Sequence, residues 1–189
     1  MKFVSSFEFR NSSLSMEGFL NPEEVLKQLE LGKDMKAADF GSGSGGWAIP
    51  LAKKLAEGQV FAIDILEEPL SALKGKAAIT NLSNIETIRA DLEQKEGSKI
   101  EQDSLDLVLI TNLLFQVEEK EEALEEAKRV LKKGGKILIV DWKKDSSLGP
   151  KEGKISEQEV KKIAKDLNLK FEKEIEAGDY HYALLFEKP

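Results

Sequence analysis

Short apolar runs alternate along this chain with segments whose apolar residues recur at helical spacing. Gln59–Asp64, Leu105–Thr111 and Lys136–Asp141 are nearly continuous apolar stretches, the pattern of strands buried on both faces. A shorter run enters at Ala37-Ala38-Asp39-Phe40, and Asn84–Asp91 alternates apolar with polar, as an outer, half-exposed strand does. Between these lie stripes at i, i+3, i+4 spacing: Ala48, Leu51, Ala52 and Leu55; Leu70, Leu73, Ala77 and Ala78; Ala123, Leu124, Ala127, Val130 and Leu131. Strand followed repeatedly by helix predicts an α/β fold with a parallel, doubly wound sheet and helices on both faces.

The punctuation sharpens the boundaries. Asn21-Pro22-Glu23-Glu24 opens a helix with an N-cap, Pro at N1 and acid in the first turn; Val25, Leu26 and Leu29 form its apolar stripe and Gly32 stops it. A helix over 118–133 ends at Gly134-Gly135, and residues 93–104 and 143–154 read as loops. Ser156-Glu157-Gln158-Glu159 is a capping box. The last two strands, Lys170–Ile175 and Tyr180–Glu187, are joined by Ala177-Gly178-Asp179, so they form an antiparallel hairpin. Residues 1–20 carry Phe3, Phe7, Phe9, Leu14, Met16, Phe19 and Leu20, expected to cap a cleft beside the glycine loop. The chain therefore reads as a single domain over 1–189, with a cap and helix in 1–31 and an α/β core in 36–189.

Composition narrows the partners. With 41% apolar and 33% charged residues and no membrane-length apolar run, the expectation is a soluble, cytoplasmic protein. Met1–Arg10 has no secretory h-region. The absence of Cys excludes disulfides, zinc–thiolate sites and cysteine nucleophiles, and no metal-ligand spacing is visible. A net charge of −7 with mixed signs gives no footprint for a nucleic-acid backbone, which favours a small-molecule partner; oligomeric state is left open.

The chemistry gathers at Asp39-Phe40-Gly41-Ser42-Gly43-Ser44-Gly45-Gly46. A strand that turns through glycines into a helix brings bare backbone close to a ligand. Gly41, Gly43 and Gly46 also fit the dinucleotide fingerprint. Asp39 separates the two readings, because a carboxylate there repels a pyrophosphate and attracts a cation. The parallel strands end in Asp39, Asp64, Asp91, Asn112 and Asp141, polar groups that line one edge. Asp64 lies at the distance from the glycines where an acid meets ribose hydroxyls.

These motifs resemble the class I S-adenosylmethionine (SAM)-dependent methyltransferases, in the broad group that includes the ubiquinone and menaquinone methyltransferases. The likeness runs from Phe19 to Lys188. It rests on Asp39-x-Gly41-x-Gly43-x-Gly45, on Asp64-Ile65, on Ala90-Asp91-Leu92, on Asp106–Asn112 and on Arg129–Gly135, where Lys133 stands in place of the usual Pro. The resemblance implies a Rossmann-like sheet of seven strands, parallel except for an antiparallel last strand. It implies SAM as cofactor, held by Asp39, Gly41, Ser42, Gly43, Gly45, Asp64, Ile65, Asp91, Leu92 and Asn112. The methionine part falls to the glycine loop, the ribose to Asp64, and adenine to Ile65 and Asp91.

Acceptor-side candidates are Asn112, Asp141, Trp142, Lys143 and His181, with His181, Asp141 and Asn112 as the catalytic set. His181 is the only His, and it lies near the start of the reversed strand, at the edge where the parallel strands end. Thr111-Asn112-Leu113-Leu114-Phe115 lacks the Asn/Asp-Pro-Pro-aromatic pattern of many amino-methylating relatives. The expected reaction is transfer of a methyl group from SAM to a small acceptor by in-line displacement. The alternatives are an NAD(P)-dependent oxidoreductase and a non-catalytic SAM-binding domain; Asp39 and the final hairpin weigh against the first.

Overall fold

The computed structural model describes residues 18–189. The elements are α1 (Pro22–Lys27), β1 (Lys36–Phe40), α2 (Ala48–Lys54), β2 (Gln59–Asp64), α3 (Glu67–Ile79), β3 (Ile85–Arg89), β4 (Leu105–Thr111), α4 (Lys120–Val130), β5 (Leu131–Trp142), α5 (Glu157–Asp166), β6 (Lys170–Ile175) and β7 (His181–Glu187). The aromatic cap expected from Phe3, Phe7, Phe9, Leu14 and Met16 lies outside the described residues. Of that cluster, Phe19 is half exposed against the Tyr180 ring, and Leu20 packs on the core.

The seven strands form one sheet in the order β3-β2-β1-β4-β5-β7-β6. β1 to β5 pair in parallel, and β7 runs antiparallel to both β5 and β6. This is the doubly wound sheet with a reversed last strand that the alternation predicts. From β1 the chain winds out through α2 and α3 to the edge strand β3. It then returns to β4 and winds the other way. That reversal puts α1, α2 and α3 on one face and α4 and α5 on the other.

Each central strand feeds both layers because its side chains alternate. Leu107 and Leu109 join Val25, Leu51 and Leu73, while Val108 and Ile110 join Leu124, Val130 and Val160. A fully buried Leu such as Leu51 stabilises the fold by about 1.5–3 kcal/mol, so these two apolar layers dominate the sheet's stability. The edge strand β3 is only partly covered, as its alternating pattern requires.

Several boundaries differ from the sequence reading: β3 covers only Ile85–Arg89 of the strand expected over 84–91, and β7 starts at His181, one residue after Tyr180. α1 ends at Lys27, well before Gly32, because the Gln28 amide grips the main chain of Glu176 from both sides: its Nε2 donates to the carbonyl and its Oε1 accepts from the N–H. The stripe of α3 stops at Ala77, and Ala78 is exposed. The helix expected over 118–133 spans only Lys120–Val130. Leu131 is already extended, at φ −72° and ψ 140°, and pairs with Leu105; residues 132–135 bulge out before the register resumes at Leu107–Lys136. The bulge is held from the far end of the chain, where Gly134 N–H donates to Lys188 O and Lys188 N–H to Gly135 O.

Candidate cofactor and acceptor cleft

A doubly wound sheet opens a crevice where its winding reverses, here at the ends of β1 and β4. Asp39 lies at that point, wholly buried, and among the described residues neither carboxyl oxygen has a hydrogen-bond partner. Burial pushes its carboxyl up to about 7. The Ala48 N–H is near enough to favour the anion without completing a bond, and the Asp64 carboxylate opposes ionisation. The glycine loop then folds back on β2, with Gly41 and Ser42 N–H both donating to Ile63 O. Lys76 on α3 fixes the loop's far side through the carbonyl and hydroxyl of Ser44.

Two glycines do different work. Gly45 has φ +89°, and a Cβ there would lie 2.3 Å from Leu73 Cδ1, so it is needed for packing against α3. Gly43 has φ +50°, and a Cβ there meets nothing within 4 Å, so its bare face opens on free space. Gly41 backs onto Leu113 of the β4–α4 segment.

Asp64 at the end of β2 has structural bonds of its own. Its Oδ2 accepts from Gly43 N–H and its Oδ1 from Leu66 N–H, each at 2.9 Å. Ile65 and Leu66 beside it are 54% and 59% exposed, an apolar surface left open to a flat partner. The next acid is close by: Ala90 N–H donates to Asp64 O, and Asp91 follows with its Oδ1 accepting from Glu93 N–H. Leu92 is buried.

On the other side of the crevice, Asn112 adopts φ +50°, its N–H donates to Val140 O, and its Oδ1 has no partner. Asp141 is fully buried under the β4–α4 segment. Its Oδ1 accepts from Trp142 N–H at 2.7 Å, while Oδ2 is unbonded although the Phe115 and Leu114 amides lie near. Burial raises this carboxyl to about 6, against the pull of those amides and of Lys120.

Trp142 pairs with His181 across β5 and β7, and the two rings meet at a tilt of 40° with centroids 3.9 Å apart. His181 is 5% exposed, and among the described residues neither of its nitrogens has a partner. Burial, with Lys143 nearby, depresses the imidazole to about 4 and keeps it neutral at physiological pH. Lys143 N–H donates to Tyr180 O at the same edge.

The structure thus joins the sequence-predicted residues into one path along the sheet edge. It runs from Asp91 through Asp64 and the glycine loop to Leu113 and Asn112, then to Asp141, Trp142 and His181. Sequence reasoning missed the supports of this path. Glu93 Oε2 accepts from both Glu118 and Glu119 N–H at 2.8 Å, capping α4, whose own N-cap side chain makes no such bond. Buried Glu126 holds Ser98 and pairs with Arg129, which also donates to Ile100 O, so the 93–104 loop is stapled onto α4. A carboxylate in position to cap a helix some two dozen residues away leaves no local sequence signal. A cavity of about 500 Å³ lined by Leu31, Met35, Lys132 and Lys173 lies at the opposite edge of the sheet and contains none of the predicted site residues.

The donor set suits a cationic, hydroxyl-bearing ligand better than a phosphate. Asp39, Asp64 and Asp91 flank the loop, and Gly43 N–H is already engaged by a carboxylate. The partnerless oxygens of Asp39, Ser42 and Asn112 are groups that a bound molecule would satisfy. Among the described residues no cluster is suited to a metal ion, and no helix is long and apolar enough to cross a membrane.

Comparison with known proteins agrees with this chemistry. The chain is 33% identical over 120 residues to the demethylmenaquinone methyltransferase of Staphylococcus aureus, covering 63% of this chain and 48% of that protein. It is 27% identical over 150 residues to the enzyme of that name from Geobacillus kaustophilus, covering 78% and 63%. The chain thus spans about half to two thirds of the length of these relatives. The crystal structure of a SAM-dependent methyltransferase from Aquifex aeolicus superposes with a TM-score of 0.82 at 28% identity, covering 91% of this chain and 92% of that one. The family model described as a methyltransferase domain matches residues 31–184, and on that match together with the seven-stranded sheet the chain belongs to the class I SAM-dependent methyltransferases.

Proposed function

We propose that this domain transfers a methyl group from SAM to an apolar, ring-bearing acceptor of the quinol type. The observation that carries the cofactor half is Asp39, a buried carboxyl with no partner at the switch point of a doubly wound sheet. The acceptor half is supported by the names of the relatives and by the half-buried apolar groups Leu113, Phe115 and Trp142 beside Asn112.

When bound, SAM supplies an electrophilic methyl group on a sulfonium. The chain's own residues then have distinct tasks. Asp39, with Gly41, Ser42, Gly43 and Gly45, receives the amino-acid head. Asp64 accepts from ribose hydroxyls with the lone pairs that Gly43 and Leu66 leave free. Ile65 and Leu92 flank the adenine, and Asp91 accepts from its amino group. Asn112 sits between cofactor and acceptor and offers its unbonded Oδ1. Asp141 lies beneath the Leu114–Phe115 turn, close to its amides, and adds a negative potential beside the acceptor.

His181 is a neutral donor and acceptor for an acceptor hydroxyl. It is a weak base, because protonating it would place a second cation in a buried site near Lys143. Its task in this reading is to orient the nucleophile for in-line attack.

Calorimetric titration with SAM, S-adenosylhomocysteine and NADH tests the cofactor. SAM and its demethylated product should bind and NADH should not; binding of NADH alone would sink the reading. A demethylated quinol offered as acceptor should then release S-adenosylhomocysteine.

A further inference from the structure

Asp39 is wholly buried at the end of β1, and among the described residues neither of its oxygens has a hydrogen-bond partner. A carboxylate in that state loses its hydration and gains nothing in exchange, so it neutralises by taking a proton. Its charged surroundings push the same way. From β2 it faces the Asp64 carboxylate, which opposes a second negative charge. From α2 it receives only the Ala48 N–H. Lys76 on α3 is engaged by Ser44, and the end of β4 presents the uncharged Asn112.

We propose that the cofactor-free domain carries Asp39 protonated and that loading a cationic cofactor expels this proton, so that loading is coupled to proton release. The inference rests on the SAM reading. The O–H bond of the carboxyl breaks, the proton leaves to solvent, and the carboxylate left behind is neutralised by the incoming cation. The lift of this carboxyl to about 7 agrees with a proton held near neutrality. The coupling lets the domain store a buried acid without an unpaired charge while it waits for cofactor.

The test is calorimetry of SAM binding to the full chain at about pH 6.5 in phosphate and in imidazole, whose ionisation enthalpies differ. The α-amine of free SAM is already cationic there and contributes little. Between about half and one proton should be released per SAM bound, and affinity should rise up to about tenfold per pH unit between about pH 5.5 and 6.5. Asp39→Asn should bind SAM more weakly, with no release and a flat pH profile. SAM binding without proton release, or release that persists in Asp39→Asn, overturns the proposal and leaves the cofactor reading intact. If Asp39→Asn does not fold, the wild-type pH profile decides: a flat one refutes. No SAM binding at any pH refutes the cofactor reading and the coupling with it.

Discussion

Replacing Asp64 separates its two tasks, because its bonds to the protein are known. Oδ2 accepts from Gly43 N–H and Oδ1 from Leu66 N–H, both at 2.9 Å. Asparagine keeps the size but offers one acceptor and one donor, so one of the two amides loses its partner. A hydrogen bond to a charged group is worth about 1.5–3 kcal/mol, and this side chain is only half buried, so the stability cost of Asp64→Asn should be about 1.5 kcal/mol. Asp64→Ala loses both bonds and should cost about 3 kcal/mol. If the ribose hydroxyls use the same carboxylate, SAM affinity falls by a further 1.5–3 kcal/mol, about 10- to 150-fold. Urea unfolding of the cofactor-free proteins measures the first quantity and calorimetric titration with SAM the second. Both variants losing stability while SAM affinity stays within about 0.5 kcal/mol of wild type would refute the ribose assignment and leave Asp64 as a loop staple.

Gly43→Ala should fold, at a cost of about 1–2 kcal/mol for an alanine at φ +50°, yet lose SAM by about 5- to 150-fold because its methyl enters the open face; normal binding would make the loop a spacer. His181→Ala should leave SAM affinity within about 0.5 kcal/mol and lower turnover of the quinol by about tenfold, the worth of one hydrogen bond; a loss of about 10²–10⁴ with a changed pH–rate profile would make it the general base. Glu93→Ala should cost about 0.5–2 kcal/mol by uncapping α4, whereas Glu93→Gln, whose amide oxygen can replace the one oxygen used, should be nearly neutral in urea unfolding. Asp39 binds its proton more tightly folded than unfolded, so its own contribution to the stability of the cofactor-free domain should fall as pH rises from about 4 to about 7, by at most about 1.4 kcal/mol per pH unit, beside a like fall from Asp141 and an opposite rise from His181. The difference in slope between wild type and Asp39→Asn isolates that share; identical slopes would show that Asp39 is already ionised.

The strands and the glycine loop were legible because their signals are local. Val60–Ile63 and Leu107–Ile110 are apolar on both faces wherever they sit, and Gly43 and Gly45 mark backbone that other residues rarely adopt. What was hidden depends on contacts distant in sequence. Nothing near Lys27 announces that Gln28 will bind Glu176 and end the helix there. Nothing near Leu131 announces that Leu105 and Lys188 will draw residues 131–135 into the sheet. The site shows the same division. Residue types at the strand ends gave Asp39, Asp64, Asp91, Asn112, Asp141 and His181 as candidates. That Asp39 is left without a partner, that Asp64 is already bonded to the loop, and that His181 is held neutral are properties of packing, and only coordinates supply them.

The reversed β7 also bears on how the chain is made. β6 pairs only with β7, and β5 takes β7 as its outer neighbour, so the sheet beyond β5 cannot assemble until residues 181–187 have emerged. Before then Ile137, Leu138, Ile139 and Val140 form an apolar strand with one open edge, the kind of edge that pairs with other chains. Long-range strand pairing of this sort is slow to form, and that edge stays open until β7 docks. A chain cut just before His181 should therefore accumulate in inclusion bodies even though its whole glycine loop and every helix are present.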